Sequence, residues 1–428
     1  MPSQMQRTGK MKHVPVEVVA LISAMRLTEP DLEPLAQLSD KKWVSLLEFC
    51  DIAHLTLSLA QLPMTGFPRW VVERLQTNLA DNALRFEQLK KTYREAADAL
   101  DRAGVEYIVI KGFTQAPDYV RDPRLRLQSD IDLCCPQQHI PAAQTALQAI
   151  GYVPDDTADS TNADHVRTMV RLGDCQWRGN FYDPQMPFGI ELHFCLWNER
   201  ISRVHIPEVE SFWERRTERE VVGLSFPCLS PIDHLGYLAL HLLRNLFLRD
   251  WIVHHVYELA VFLHSRADDC SFWRNWSETH SSSLRSKEAI AFYHARAWFA
   301  CRIHPEVERV IAALPARQSE WLQRFSNSAL ENMFRENKDA LWLQISLLSS
   351  NQDRRRVLRR TLIPPRVASI HEPKVQVRNR RLVQFGSGSS LLQYLAYLIF
   401  RSSSHGGASI ATLWSGLRWR LSHYRLAP

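Results

Sequence analysis

The chain has 428 residues, 45% hydrophobic and 23% charged, an ordinary globular composition that gives no reason to invoke disorder. Its eight cysteines are scattered, with no CxxC pair and no zinc-like Cys/His spacing, and they are too sparse for a disulfide scaffold; a reducing cytosol is the expected compartment. Net charge is +6, yet residues 354–428 carry fourteen Lys/Arg against one acid, Glu372, a net +13 that leaves −7 on the rest.

The N-terminus has basic residues and then a short apolar run, but Glu17 interrupts it and no small-residue cleavage site follows, so it does not read as a signal peptide. Residues 14–104 read as mostly helical. "NALRFEQLKKTYREAADALDRAG" (82–104) has helical apolar spacing, with Gly104 as its stop. "VEYIVIKG" (105–112) reads as a strand, "FTQAPDYV" as a short helix, "RDPRLRLQ" as a loop and "SDIDLCC" as a second strand. "IPAAQTALQAIGY" (140–152) is an amphipathic helix closed by Gly151, and the polar "DDTADSTNADHVRTMV" is a loop leading into a strand. "FGIELHFCLW" (188–197) is a further strand. Two strongly apolar helices are expected over 229–248, with Pro231 early in the first, and over 251–266. Helices dominate to about 350, and "SGSS" (387–390) and "SSSHGGAS" (402–409) read as linkers.

The expected organisation is an N-terminal helical region (1–80), an α/β core (81–215), a helical region on the substrate side (216–350) and a basic C-terminal segment (351–428). The fold class is α/β (α+β), a small mixed sheet embedded in helices. No stretch approaches the ~18–20 uninterrupted apolar residues of a spanning helix; the nearest, "LLQYLAYLIF", has ten.

The chemistry concentrates in "SDIDLCC". Side chains alternate along a strand, so Asp130 and Asp132 point one way while Ile131 and Leu133 point the other. Two neighbouring carboxylates repel, and burying them unpartnered is costly. A hard divalent cation such as Mg²⁺ resolves this and also neutralises phosphate oxygens. "GIELHF" offers a third acid, Glu191, on another strand, with His193 on the same face. Lys111 and Gly112 end the first strand, where a freed backbone and an ammonium suit an anion. Arg126 lies four residues before Asp130. A half-exposed strand with two incidental acids, a hydrogen-bonded strand histidine and a surface arginine are the ordinary alternatives.

The run "YIVIKGFTQAPDYVRDPRLRLQSDIDLCCP" resembles the signature of the uncharacterised nucleotidyltransferase family, part of the broad superfamily resembling DNA polymerase beta. The matching residues are Lys111, Gly112, Tyr119, Asp122, Pro123, Arg126, Ser129, Asp130 and Asp132. "IELHF" and the helices "SPIDHLGYLALHLLRN" and "RDWIVHHVYELAVFL" resemble later elements of that family, so the likeness runs over roughly residues 80–265. It departs in four places. The Lys-Gly lies farther from the acid pair than the usual Gly-Ser or Gly-Gly. Arg124 stands where a turn glycine is usual. Cys134 and Cys135 replace aliphatics. Glu258 is the nearest counterpart of an aspartate common in the second helix.

The resemblance implies a metal-dependent nucleotidyltransferase that moves a nucleoside monophosphate from a nucleoside triphosphate to an acceptor hydroxyl and releases pyrophosphate. Asp130 and Asp132 would hold Mg²⁺ (or Mn²⁺), and Glu191 would complete the site. Lys111, Gly112, Arg126 and Ser129 would meet the triphosphate, with His193, His241 and Arg244 toward the acceptor. The acceptor is open among a small molecule, a peptide, a protein and an RNA end. His254, His255 and Glu258 read as helix packing, since the zincin pattern HExxH is absent. The competing reading is a catalytically inactive relative that binds nucleotide or a partner protein. The basic segment 354–428 is expected either to meet an anionic surface or to pack on the acidic remainder, which leaves the protein cytoplasmic with room for peripheral membrane attachment.

Overall fold

A computed structural model describes residues 11–363 apart from 12, 156–163, 172–179 and 251, together with 374–378, 381–385 and 391–424. Helices at Val16–Ala24 and Asp40–Ile52 precede a 34-residue helix, α1 (Arg69–Arg102). Then come β1 (Ile108–Val109), β2 (Asp130–Cys134), α2 (Ile140–Ala149), β3 (Tyr152–Pro154), β4 (Met169–Arg171), β5 (Gly189–His193), β6 (Thr217–Val221) and β7 (Leu224–Cys228). These seven strands form one mixed sheet in the order β3–β4–β5–β2–β1–β7–β6. The β2–β5 and β1–β7 pairs are parallel and the others antiparallel. The fold is thus α/β (α+β), a mixed sheet set among helices, as the sequence leads one to expect.

The two faces of the sheet meet different partners. Ile131, Leu133, Ile190 and Leu192 point into a core built with Phe86, Leu89 and Tyr93 of α1 and Ala143 and Leu147 of α2. Ile108, Ile110 and Cys134 belong to a second core shared with the helices α3 (Pro231–Leu248) and α4 (Val253–Ser265). Strand alternation therefore turns Asp130, Asp132, Glu191 and His193 toward α3 and α4, where the sheet meets the helical part of the chain.

The helix α1 also fixes the loop before β2. Buried Arg85 donates to the carbonyls of Gln128 (2.9 Å) and Asp183 (2.9 Å), and Asn82 Nδ2 donates to the Arg124 carbonyl (2.7 Å). Beyond α4 lie α5 (Cys270–Thr279), α6 (Ser282–Phe299), α7 (Ala340–Leu347), α8 (Asn351–Leu362), the hairpin β8–β9 (Lys374–Arg378, Arg381–Phe385) and α9 (Leu391–Tyr424).

Several local expectations change. The strand over 105–112 contracts to β1, and "FTQAPDYV" keeps a single 3₁₀ turn, Gly112–Gln115, because Pro117 brings no N–H to extend it. The β6–β7 hairpin was not foreseen; its turn, Val222–Gly223, has positive φ at both residues (49° and 74°), the condition for a tight hairpin turn. "SSSHGGAS" lies inside α9 rather than in a linker, while "SGSS" and most of the polar run 155–163 lie outside the described residues. The helix α1 runs through position 80, and β6 and β7 join the sheet from beyond 215. The described cysteines are free.

Candidate active site

The parallel register of β2 on β5 sets Asp132 opposite Glu191 and Cys134 opposite His193. One ligand atom each from Asp132, Glu191 and His193 falls within 4.8 Å of the others. The Lys111 ammonium, arriving from the end of β1, lies 2.5 Å from Asp132 Oδ1, and His193 Nε2 lies 2.9 Å from the same oxygen. Glu191 Oε2 is 3.6 Å from His193 Nε2, and Thr168 Oγ1 donates to Glu191 Oε1 (3.2 Å).

The electrostatics separate the two aspartates. Burial alone would raise Asp132, but the Lys111 ammonium and the His193 hydrogen bond hold it well below the usual carboxylate range. Lys111 and Arg126 act on Asp130 only weakly. Burial and then the charges of Asp132 and Glu191 push it up to about 7. Burial would lower His193, yet its hydrogen bonds to Asp132 and Glu191 push it up to about 9, so it is an imidazolium at neutral pH. Lys111 is likewise raised: Asp132 overcomes the effect of burial. Without a metal, Asp132 is therefore neutralised by the chain's own cations, and the repulsion expected of the acid cluster is concentrated on Asp130.

The other anticipated residues sit around this centre. Arg126 pairs with Glu258 of α4 (2.8 Å), which also accepts from Gln115 Nε2 (2.9 Å). Glu258 thus counters a cation, beyond the packing role read for it. Ser129 is half-buried, and its carbonyl accepts from Gly189 N (3.3 Å). Arg244 pairs with Asp164 (3.2 Å) rather than standing free. His241 meets Asn245 Nδ2 (3.1 Å) and opens a chain of imidazoles. Its ring is 4.9 Å from His255, His255 is 3.8 Å from His254, and His254 is 5.1 Å from His54. Burial lowers all four, His54 to about 4.

Sequence reasoning passed over Asp164, His165 and Gln128. Asp164, 4% exposed, lies 3.7 Å from His193 Nδ1 and ties the strand to Arg244 of α3. The only signal was an Asp-His pair just before a strand, in a run read as loop.

Gly112 is needed for space. Its φ is +70°, and a Cβ there would lie 2.1 Å from Gln128 Nε2, which itself donates to the Asp130 carbonyl (2.6 Å). Gly112→Ala is therefore expected to cost about 2 kcal/mol through strain and displacement of Gln128. A denaturant titration reads that loss, and a midpoint equal to wild type would contradict this account.

A family model described as an uncharacterised nucleotidyltransferase matches residues 40–300, more than half the chain. The chain belongs to this uncharacterised nucleotidyltransferase family. The match reaches beyond the motifs of 80–265, into the N-terminal helices and through α6. No curated protein and no solved structure matches the chain. Membership implies a nucleoside triphosphate substrate and a transferase reaction. The acidic strands β2 and β5 lie near the middle of the matched span.

Proposed function

We propose that the protein is a metal-dependent nucleotidyltransferase that transfers a nucleoside monophosphate from a nucleoside triphosphate to an acceptor hydroxyl. The observation that supports this reading best is the β2–β5 register, which sets Asp132 beside Glu191 with His193 within ligand distance of both, while Asp130 lies on the same face of β2. Their carboxylate oxygens suit Mg²⁺ or Mn²⁺, and the rise of Asp130 to about 7, from burial and then the charges of Asp132 and Glu191, is one that a divalent cation would relieve. Such an ion, when bound, neutralises charge on the phosphate oxygens.

The chain's own groups do the rest. Lys111, paired with Asp132, and Arg126, held by Glu258, would orient the triphosphate, with Gly112 and Ser129 shaping the backbone beside them. Glu191 is lowered, because the His193 imidazolium outweighs the effect of burial, so it is ionised and available to take the acceptor hydroxyl's proton. The acceptor oxygen bonds to the α-phosphorus, the α–β bridging bond breaks, and pyrophosphate leaves. His193, His241 and Arg244 are the acceptor-side groups in this reading. The protein would work in the cytoplasm, and the basic C-terminal segment would meet an anionic surface.

One observation favours binding without turnover: Lys111 and His193 already satisfy Asp132. Thermal melting separates the readings. Mg²⁺ or Mn²⁺ with a triphosphate is expected to raise the wild-type Tm by a few degrees, since a ligand bound only by the native state stabilises it. Asp132→Asn and Glu191→Gln are expected to lose that gain. A wild-type Tm indifferent to divalent ions, with every triphosphate tried, would overturn the catalytic reading. Mass spectrometry of extracts incubated with the protein, Mg²⁺ and each triphosphate then identifies the acceptor.

A further inference from the structure

The helix α9 is packed on the body inside out. Among its described side chains, those of 402–417 that face the body are polar and small. The Lys338 backbone N–H donates to Thr412 Oγ1 (3.2 Å), and the Lys338 ammonium donates to Ser409 Oγ (3.0 Å). Trp342 Nε1 of α7 donates to the Thr412 carbonyl (3.1 Å), Ser415 Oγ to Asp339 Oδ1 (3.1 Å) and Ser404 Oγ to Glu336 Oε2 (2.9 Å). Gly416 approaches the Trp342 indole so closely that a Cβ would fall 2.1 Å from it.

The outward side is apolar. Ile399, Ile410, Leu413, Trp414 and Leu417 are between 46% and 71% exposed. Positions 410, 413, 414 and 417 follow the spacing of one helical face; Ile399 lies three turns upstream at the same angle, with Ser403, Gly406 and Gly407 between. An ordinary surface helix does the reverse, burying its apolar stripe and showing its polar one. The exposed apolar face over 410–417 marks a surface that meets something apolar.

Charge indicates what that is. No Asp or Glu occurs from residue 373 to the C-terminus, and the segment 354–428 is net +13. The neighbouring α8 exposes Arg355, Arg356 and Arg359, and Ile363, 65% exposed, lies just past its end. The two helices adjoin, because Lys338 Nζ also donates to the Thr361 carbonyl (2.9 Å). A second copy of the chain would bring like charges together, and a nucleic acid has no use for the aliphatic stripe. An anionic bilayer surface satisfies both features.

We infer that α9 lies in the plane of an anionic membrane surface, its apolar stripe at the acyl boundary and the arginines of the basic segment among the headgroups. It lies on the bilayer and does not cross it: among the described residues no helix is long and apolar enough to span a membrane. The inference stands independently of the transferase reading.

Co-sedimentation of the full chain with vesicles tests it. Wild type is expected to pellet with phosphatidylcholine vesicles containing phosphatidylserine and not with phosphatidylcholine alone, with binding reduced by salt. Leu413→Ser/Leu417→Ser changes only outward side chains, so its melting curve should match wild type while its vesicle affinity falls about tenfold or more. Wild type that fails to pellet at low salt overturns the inference. Equal pelleting of the double variant also overturns it, since charge alone then suffices. A wild-type dimer by light scattering that the double variant dissolves, without vesicle binding, assigns the stripe to a second copy instead.

Discussion

Asp132→Asn is expected to abolish nucleotidyl transfer, with kcat falling roughly 10³-fold or more, because positioning and charge neutralisation supply most of phosphoryl-transfer catalysis. It should also destabilise the protein. Asp132 is 3% exposed and balances two buried cations, Lys111 and His193. Breaking a buried pair by removing one partner costs about 3–5 kcal/mol. Asp130→Asn is expected to be equally inactive but to leave stability unchanged or higher. Asp130 faces the charges of Asp132 and Glu191, which Lys111 and Arg126 offset less than Lys111 and His193 do for Asp132. Denaturant titrations of both variants alongside turnover check this. The idea fails if the two aspartates behave alike in stability, because their environments would then be equivalent.

The largest stability effect away from the site is expected at Glu288. Fully buried in α6, it accepts from Trp276 Nε1 of α5 (2.9 Å) and pairs with His280 Nδ1 (2.8 Å). His280 Nε2 lies 3.3 Å from Asp233 of α3, which also accepts from Arg215 Nη2 (2.6 Å). Gly236 leaves the room: a Cβ there would lie 2.8 Å from His280 Cε1 and 2.9 Å from Glu288 Oε1. Glu288→Ala strands a buried imidazolium and an indole N–H and should cost about 3–5 kcal/mol.

The pH dependence has a definite sign. Burial would lower His280, but Asp233 and Glu288 raise it to about 9, above its unfolded value near ~6.5. The stability it contributes is complete below the unfolded value and is lost as pH rises through about 9. The wild type should therefore weaken over that window more steeply than Glu288→Ala. Parallel slopes in urea denaturation across that window would show that His280 is not the group concerned.

Much of this was readable from the sequence, for local reasons. Alternation over 130–133 oriented the two aspartates, and the bounds of α3 and α4 followed from apolar periodicity and an early proline. Glu191 was found because it interrupts an apolar strand. What escaped is nonlocal or disguised. That Lys111 pairs with Asp132, and Arg126 with Glu258, depends on which strand and helix come together, which no spacing states. Asp164 sat in a polar run indistinguishable from a loop. "SSSHGGAS" has the composition of a linker, but within α9 its Ser404, Ala408 and Ser409 face the body.

The order of strands in the sheet has a consequence for how the protein is made. The two-residue strand β1 is held between β2 and β7, and its parallel partner ends at Cys228, more than a hundred residues downstream. The pairing of β2 with β5 is also distant along the chain. Such nonlocal pairings are slow to form, because the intervening chain must be ordered before any contact rewards it. A nascent chain released from the ribosome as far as Cys134 carries both aspartates but has neither β5 nor β7. During translation Glu191 can join the two aspartates only once the stretch through 193 has emerged, and β1 gains its parallel partner only once 228 has, so the candidate site is completed late in the synthesis of the α/β core.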